Sequence, residues 1–294
     1  MDADPLRASG LVGIWRGVER IAALDPSDRG FAYGDGLFET MRAHAGTLPW
    51  WPRHRARLLA GARRLGIAIP GDPHLDAALA EALVVAPEGI IKLVLTRGTG
   101  ARGYAPPSAS PDARAAPTLA VFASSPMSSA MSSSGGLAPA LALHVDLLSM
   151  RLGVQPLLAG LKHLNRLEQV LGAREAAERG LDEGLMADGD GRIVCGTRGN
   201  ILARLDGRWI TPPVDRAGVA GIVRGLLLES WPALSEAVLH LDDLPRVDAL
   251  FLTNAVRGIL PVGRCGVREL DPRPTGLEDA RAVLAASHPA FRES

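Results

Sequence analysis

Lys162 stands near the head of the run Gly160–Leu171 (GLKHLNRLEQVL), directly after the apolar residues Leu157–Leu161. An amine at a helix start beside apolar neighbours is partly desolvated, and burial lowers its pKa. The neutral amine that results is the form that makes a Schiff base with an aldehyde. A lysine alone more often belongs to a solvated surface, and His163 and Glu168 read equally well as helix-surface residues. A second signal is Asp215–Gly225 (DRAGVAGIVRG), where a glycine-rich loop leads into a helix. Backbone N–H groups at such a start attract anions, so phosphate at Gly221, Ile222 and Val223 is physically sensible, although glycine before a helix is common. The third signal is arginine. Arg53, Arg55, Arg57, Arg63 and Arg64 crowd one helical stretch, and Arg97 and Arg102 share the glycine-rich loop Thr96–Tyr104 (TRGTGARGY). Arginine is always charged and donates a fork of hydrogen bonds suited to carboxylate and phosphate. The plain alternatives are a basic helix face for the first group and strand-end caps for the second.

Several function classes are disfavoured by composition. The 294 residues carry 32 basic and 32 acidic side chains, so no global field draws nucleic acid or a membrane surface, and aromatics are scarce at 4%. A small molecule is the expected partner. Cys195 and Cys265 are the only cysteines and lack metal-ligand spacing, which points to a reducing compartment with neither a disulfide framework nor a structural zinc. The opening residues show no signal-peptide core. The apolar run Val84–Leu95 is broken by Pro87, Glu88, Gly89 and Lys92, too soon to span a bilayer. The expectation is a soluble cytoplasmic protein.

The elements that must position these residues fall into two parts. Ser124–Gly136 (SSPMSSAMSSSGG) reads as a flexible linker between a smaller α+β domain, 1–123, and a larger domain, 137–294, and Ala105–Pro117 reads as a loop. Strands are predicted at Leu11–Gly17, Ile90–Thr96, Thr118–Ala123, Ala140–Val145, Glu183–Ala187, Arg192–Cys195, Ile201–Leu205 and Ala249–Leu252. Helices are predicted at Pro52–Leu65, Leu164–Glu178, Val219–Ser230 and Leu277–Ser287, the second with Leu164, Leu167 and Leu171 as its apolar stripe.

Lys162–Leu171 (KHLNRLEQVL) resembles the Schiff-base lysine segment of the aminodeoxychorismate lyases, within the fold-type-IV group of pyridoxal 5'-phosphate (PLP) enzymes. Other segments match in the same order. Asp28–Arg42 (DRGFAYGDGLFETMR) resembles the N-terminal signature, Thr96–Tyr104 the RGxGxRGY signature, and Phe251–Val262 (FLTNAVRGILPV) the last phosphate-side loop. The resemblance implies a homodimer of two-domain chains, α/β and α+β, with PLP in the interdomain cleft. By it Lys162 holds PLP and moves protons, Arg166 lies near the ring, and Thr40 offers a hydroxyl near the reacting carbon. Arg57, in His54-x-x-Arg57-Leu58, grips the cofactor phosphate, helped by Gly221, Ile222, Val223, Thr253, Asn254 and Ala255. Arg97, Arg102 and Tyr104 meet the substrate, whose two carboxylates suit two arginines. One departure stands out in Cys195–Asn200 (CGTRGN), a cofactor-side stretch to which Asn200 belongs. The wider group opens it with glutamate, paired to the pyridine nitrogen, and a thiol at Cys195 is only a weak donor. The implied activity is conversion of 4-amino-4-deoxychorismate to 4-aminobenzoate and pyruvate. A branched-chain or D-amino acid aminotransferase on the same scaffold is the rival reading, and a catalytically silent binding protein is a second.

Overall fold

The computed structural model describes residues 10–100, 102–106, 116–124 and 142–292. Most of the two loops expected as joints, 107–115 and 125–136, therefore lies outside the described residues. The chain divides into two compact units, Met1–Met131 with Lys162–Asn165, and Ser132–Leu161 with Arg166–Ser294. The lysine segment thus groups with the N-terminal unit and not with the chain around it.

In the first unit, strands β1 (Leu11–Arg16), β2 (Glu19–Ile21), β3 (Gly36–Arg42), β4 (Ile90–Thr96) and β5 (Thr118–Ser124) form an antiparallel sheet in the order β2-β1-β5-β4-β3. β4 shows why: Ile91, Leu93 and Leu95 alternate into the core while Lys92 faces outward. Helices α2 (Trp51–Leu65) and α3 (Asp72–Val85) cover the buried face, bringing Leu58, Ala62, Leu75 and Leu79 onto Leu37, Met41 and Leu93. A short helix α1 (Arg29–Tyr33) precedes β3. Pro52 opens α2, where its missing N–H costs nothing, and Gly66 closes it at φ 64°. Neither α3 nor β3 was expected from the sequence.

In the second unit, β6 (Leu143–Leu152), β7 (Glu183–Asp188), β8 (Arg192–Gly196), β9 (Asn200–Leu205), β13 (Val247–Asn254) and β14 (Gly258–Cys265) pair in a ring that closes through a single β8–β9 bridge, Cys195 to Asn200. Closure removes sheet edges, and the strands' common face supplies one apolar cluster including Val145, Leu185, Ile193, Ile201, Leu252 and Val262. β10 (Arg208–Thr211), β11 (Leu234–Glu236), β12 (Leu239–His240) and β15 (Arg268–Glu269) extend this sheet. Helices α4 (Leu167–Glu178), α5 (Ile222–Ser230) and α6 (Leu277–Ser287) complete the unit. Among the described residues no helix is long and apolar enough to cross a membrane.

Three expected elements are corrected. Of the strand expected over Ala140–Val145, residues 140–141 lie outside the described residues, and the described strand runs from Leu143 on to Leu152. The helix expected over Leu164–Glu178 begins at Leu167, because Leu164 donates its N–H to Gly36 of the first unit's sheet. Its proposed stripe is not a core face: Leu167 is 75% and Leu171 41% exposed, and Gly172 and Ala176 are the buried positions. The helix expected from Val219 starts at Ile222, since Val219 and its neighbours are held as a loop.

Candidate active site

Lys162 is seated on β3. Phe38 donates its N–H to the Lys162 carbonyl at 3.0 Å, His163 bridges to Leu37, and Asn165 Nδ2 donates to the Gly34 carbonyl at 3.1 Å. The Lys162 Nζ stands 4.2 Å from the centroid of the Phe38 ring. Thr40, two residues along β3, shares the face of Phe38. The glycine-rich signature Asp28–Arg42 is thus the bed of the lysine.

The opposite face of β3 carries a residue that sequence reading passed over. Glu39 is 1% exposed and accepts from Arg57 Nε at 2.8 Å, from Arg57 Nη2, and pairs with His54 Nδ1 at 2.6 Å. Burial by itself would raise the Glu39 carboxyl; the Arg57 charge, with hydrogen bonds from Arg57 and His54, outweighs it and brings the group down to about 2. Burial holds His54 below its ordinary value despite Glu39, so a neutral ring donating from Nδ1 fits the geometry. Arg57 is therefore no member of a solvated basic face; a buried carboxylate fixes it. Because the folded Glu39 lies below its ordinary 4.5, its stabilisation is complete above pH 4.5 and is lost as pH falls toward 2. The effect is about 3 kcal/mol. Urea midpoints should show Glu39→Gln less stable than wild type at neutral pH, with the gap closing in acid. A pH-independent gap contradicts this.

In the second unit, neighbours in register gather the other expected cofactor residues. Asn200 opens β9 and faces Cys195 on β8 and Thr253 on β13. Its Nδ2 donates to the Val219 carbonyl at 2.9 Å, and Val219 in turn bridges to Gly160. That pins the loop delivering Gly221 to the start of α5, whose first turn has no side-chain cap. A Cβ at Gly221 would overlap Oδ1 of Asn200, so any larger residue would have to displace that side chain. Thr253 is buried, and its hydroxyl has no hydrogen-bond partner. Asn254 Oδ1 accepts from the N–H groups of Val256 and Arg257, which shapes the turn holding Ala255. An uncapped helix start above a glycine cradle, near a buried unpartnered hydroxyl, fits a phosphate group. Ile222 and Val223 supply the first backbone N–H groups of α5.

Cys195 is placed by a bulge. The β7–β8 register shifts between Met186 and Ala187, so Ile193 faces the strand cluster while Val194 and Cys195 turn toward Leu148, Met186 and Ala176. Burial pushes the Cys195 thiol up to about 12, only partly offset by the Arg166 charge. It is a neutral thiol, and a cation is its strongest electrostatic neighbour. Arg166 itself donates from Nη2 to the Leu161 carbonyl at 2.5 Å. The acidic residues nearby are engaged: Glu183 with Thr197 and Arg198, Glu168 with the Gly153 N–H.

The three residues expected at the substrate separate. Arg97 donates from Nε and Nη2 to Asp35 at 2.7 and 3.0 Å, from Nη1 to the Gly66 carbonyl at 2.7 Å and from Nη2 to the Leu65 carbonyl at 2.8 Å. Four of its five N–H donors are thereby committed within the fold, which ties Arg97 to Asp35 and to the carbonyls of Leu65 and Gly66. Arg102 is exposed and makes no side-chain hydrogen bond or ion pair with the described residues, and Tyr104 is 87% exposed.

Residues 36–265 match the family described as amino-transferase class IV. The solved 4-amino-4-deoxychorismate lyase of Pseudomonas aeruginosa is 36% identical, covers 94% of this chain and 99% of its own, and superposes with a TM-score of 0.77. The aminodeoxychorismate lyase of Vibrio harveyi is 31% identical over 80% of this chain and 84% of its own. A Methanocaldococcus jannaschii protein named for branched-chain-amino-acid aminotransferase activity is 32% identical over 88% of each chain. The chain therefore belongs to the class IV aminotransferase family, the fold-type-IV enzymes that work with pyridoxal phosphate.

Proposed function

We propose that this protein is a carbon–oxygen lyase converting 4-amino-4-deoxychorismate to 4-aminobenzoate and pyruvate. When bound, PLP supplies an aldehyde that condenses with amines and a conjugated ring that draws electron density from the adjoining carbon. Lys162 would hold the cofactor through that aldehyde, yield the position to the substrate's amine and reclaim it when the amine of 4-aminobenzoate is released. The freed Lys162 amine takes the proton from the amine-bearing ring carbon. The C–O bond at the neighbouring carbon breaks, the carbocycle becomes aromatic, and Lys162 returns a proton to the departing three-carbon enol, which becomes pyruvate. Arg57 and the N–H groups of Gly221, Ile222 and Val223 hold the phosphate, with Thr253, Asn254 and Ala255 beside it. Arg102 and Tyr104 receive a substrate carboxylate, and Thr40 orients the reacting carbon.

The observation that carries the choice of reaction is a buried thiol, Cys195, at the position where the resemblance expects glutamate. A transaminase must keep electrons on the cofactor ring and reprotonate there, so it relies on a firmly protonated ring nitrogen. A lyase with an aromatic product expels those electrons through the breaking C–O bond, and a weak partner at the nitrogen suffices. The M. jannaschii relative keeps transamination as the rival reading. Cys195→Glu separates them, and Arg166 offers the new carboxylate a counter-charge. Lyase turnover should stay within roughly tenfold of wild type, about 1.4 kcal/mol in the barrier. Slow conversion of PLP to its amine form in the presence of amino acids should increase, followed by cofactor absorbance. No increase, or a wild type that transaminates faster than it forms 4-aminobenzoate, contradicts the assignment.

A further inference from the structure

Described residues of two sequence signatures, Asp28–Arg42 and Thr96–Tyr104, are joined in space as one clasp. The Asp28 carboxylate, fully buried, accepts from Thr96 Oγ1 at 2.9 Å and from the Gly30 N–H at 2.8 Å. Arg29 donates its backbone N–H to the Gly98 carbonyl at 2.8 Å, and Arg97 donates its own to the Asp35 carbonyl at 3.1 Å. The Asp35 carboxylate then bridges two guanidinium groups, accepting from Arg29 Nε at 2.9 Å and from Arg97.

The other end of Arg29 reaches the loop. Its Nη1 donates to the Gly103 carbonyl at 3.0 Å and its Nη2 to the Tyr104 carbonyl at 2.8 Å. The Tyr33 hydroxyl accepts from the Gly103 N–H at 3.0 Å, and its ring meets Tyr104 edge-on with centroids 5.6 Å apart. Arg29 also stacks over Tyr33, 4.9 Å from its centroid. Residues Arg102–Pro106 are exposed, and Gly103 sits at φ 102°, a stretch that left alone would sample many conformations. Arg29 is only 3% exposed, so its charge is satisfied only while these carbonyls and Asp35 stay in place.

We propose that Arg29 is a positioning residue for substrate recognition: through it, Asp35 and Arg97 fix the backbone of the loop that presents Arg102 and Tyr104 to a ring dicarboxylate. Arg97 acts on the substrate only through this relay. The inference rests on the reading that Arg102 binds a substrate carboxylate, but its structural half does not.

The test uses PLP-loaded Arg29→Gln, which leaves Asp35 paired to Arg97, together with Tyr33→Phe, which removes the acceptor of the Gly103 N–H and buries no unpaired charge. Trypsin cleavage after Arg102, mapped by mass spectrometry, should quicken about tenfold in Arg29→Gln and less in Tyr33→Phe. The KM for 4-amino-4-deoxychorismate should rise about tenfold in Arg29→Gln, with kcat changed much less and PLP retained. Arg29→Lys should recover part of both effects. Unchanged cleavage and KM in the folded variants, or kcat falling with KM held, overturns the relay. If Arg29→Gln does not fold, Tyr33→Phe decides on the same two readouts. Quickened cleavage in an enzyme whose wild type makes no 4-aminobenzoate leaves the clasp standing and removes the lyase reading instead.

Discussion

Lys162→Ala is expected to abolish turnover, by about 10⁴-fold or more, because one amine both carries the cofactor and moves two protons. Borohydride reduction of the wild type followed by peptide mapping should place the pyridoxyl group on Lys162. The chain contains one competitor. Lys92 and Lys162 are its only lysines, and both approach the same aromatic ring, with Nζ at 5.6 and 4.2 Å from the Phe38 centroid. Lys92 projects from the exposed side of β4, outside the motif run that carries Lys162. A label on Lys92, or a Lys162→Ala enzyme that still turns over, contradicts the assignment. The Ala variant should still bind PLP through its phosphate.

Arg57→Ala should produce the second large effect, and the Glu39 contact means that it mixes two causes. A charge-assisted phosphate contact is worth about 1.5–3 kcal/mol, so PLP should dissociate about 10- to 100-fold more readily. The same truncation strips a buried carboxylate of its guanidinium, costing about 3–5 kcal/mol of stability in its own right. A double-mutant cycle with Glu39→Gln separates them. Glu39→Gln/Arg57→Ala should regain much of the lost stability, since no charge is left buried alone, and should not regain PLP affinity. Arg102→Ala, by contrast, should keep PLP and raise the substrate KM. Recovery of PLP affinity in the double variant would mean that Arg57 serves the fold and not the phosphate.

Elements whose pattern is local were legible in the sequence. Ile90–Thr96 and Leu277–Ser287 have the bounds expected, the first from a short β-rich run that ends in a glycine-rich turn. α3 carries its own stripe in Leu75, Ala78, Leu79 and Ala82, but Val84 and Val85 place apolar side chains on the exposed side and blur the period. β3 mixes glycine, glutamate, threonine and arginine, and its strand state comes from pairing with β4. Glu39 could have been suspected, since it shares a face with Leu37 and Met41, both core residues. Its role needs His54 and Arg57, 15 and 18 positions away. The two arginines of Thr96–Tyr104 could not be told apart by sequence. Asp35, 62 positions from Arg97, engages one within the fold, and nothing comparable among the described residues engages the other. The lysine segment was legible only as a motif, because its place on β3 depends on backbone pairing across more than a hundred residues.

The measurement that bears most directly on the reaction is a product assay on the PLP-loaded enzyme given 4-amino-4-deoxychorismate. Equal amounts of 4-aminobenzoate and pyruvate should form with no added keto acid, while the cofactor's absorbance stays that of the aldehyde form. Absence of 4-aminobenzoate, together with amino-group transfer from a branched-chain or D-amino acid to a keto acid, would show a transaminase and contradict the lyase reading.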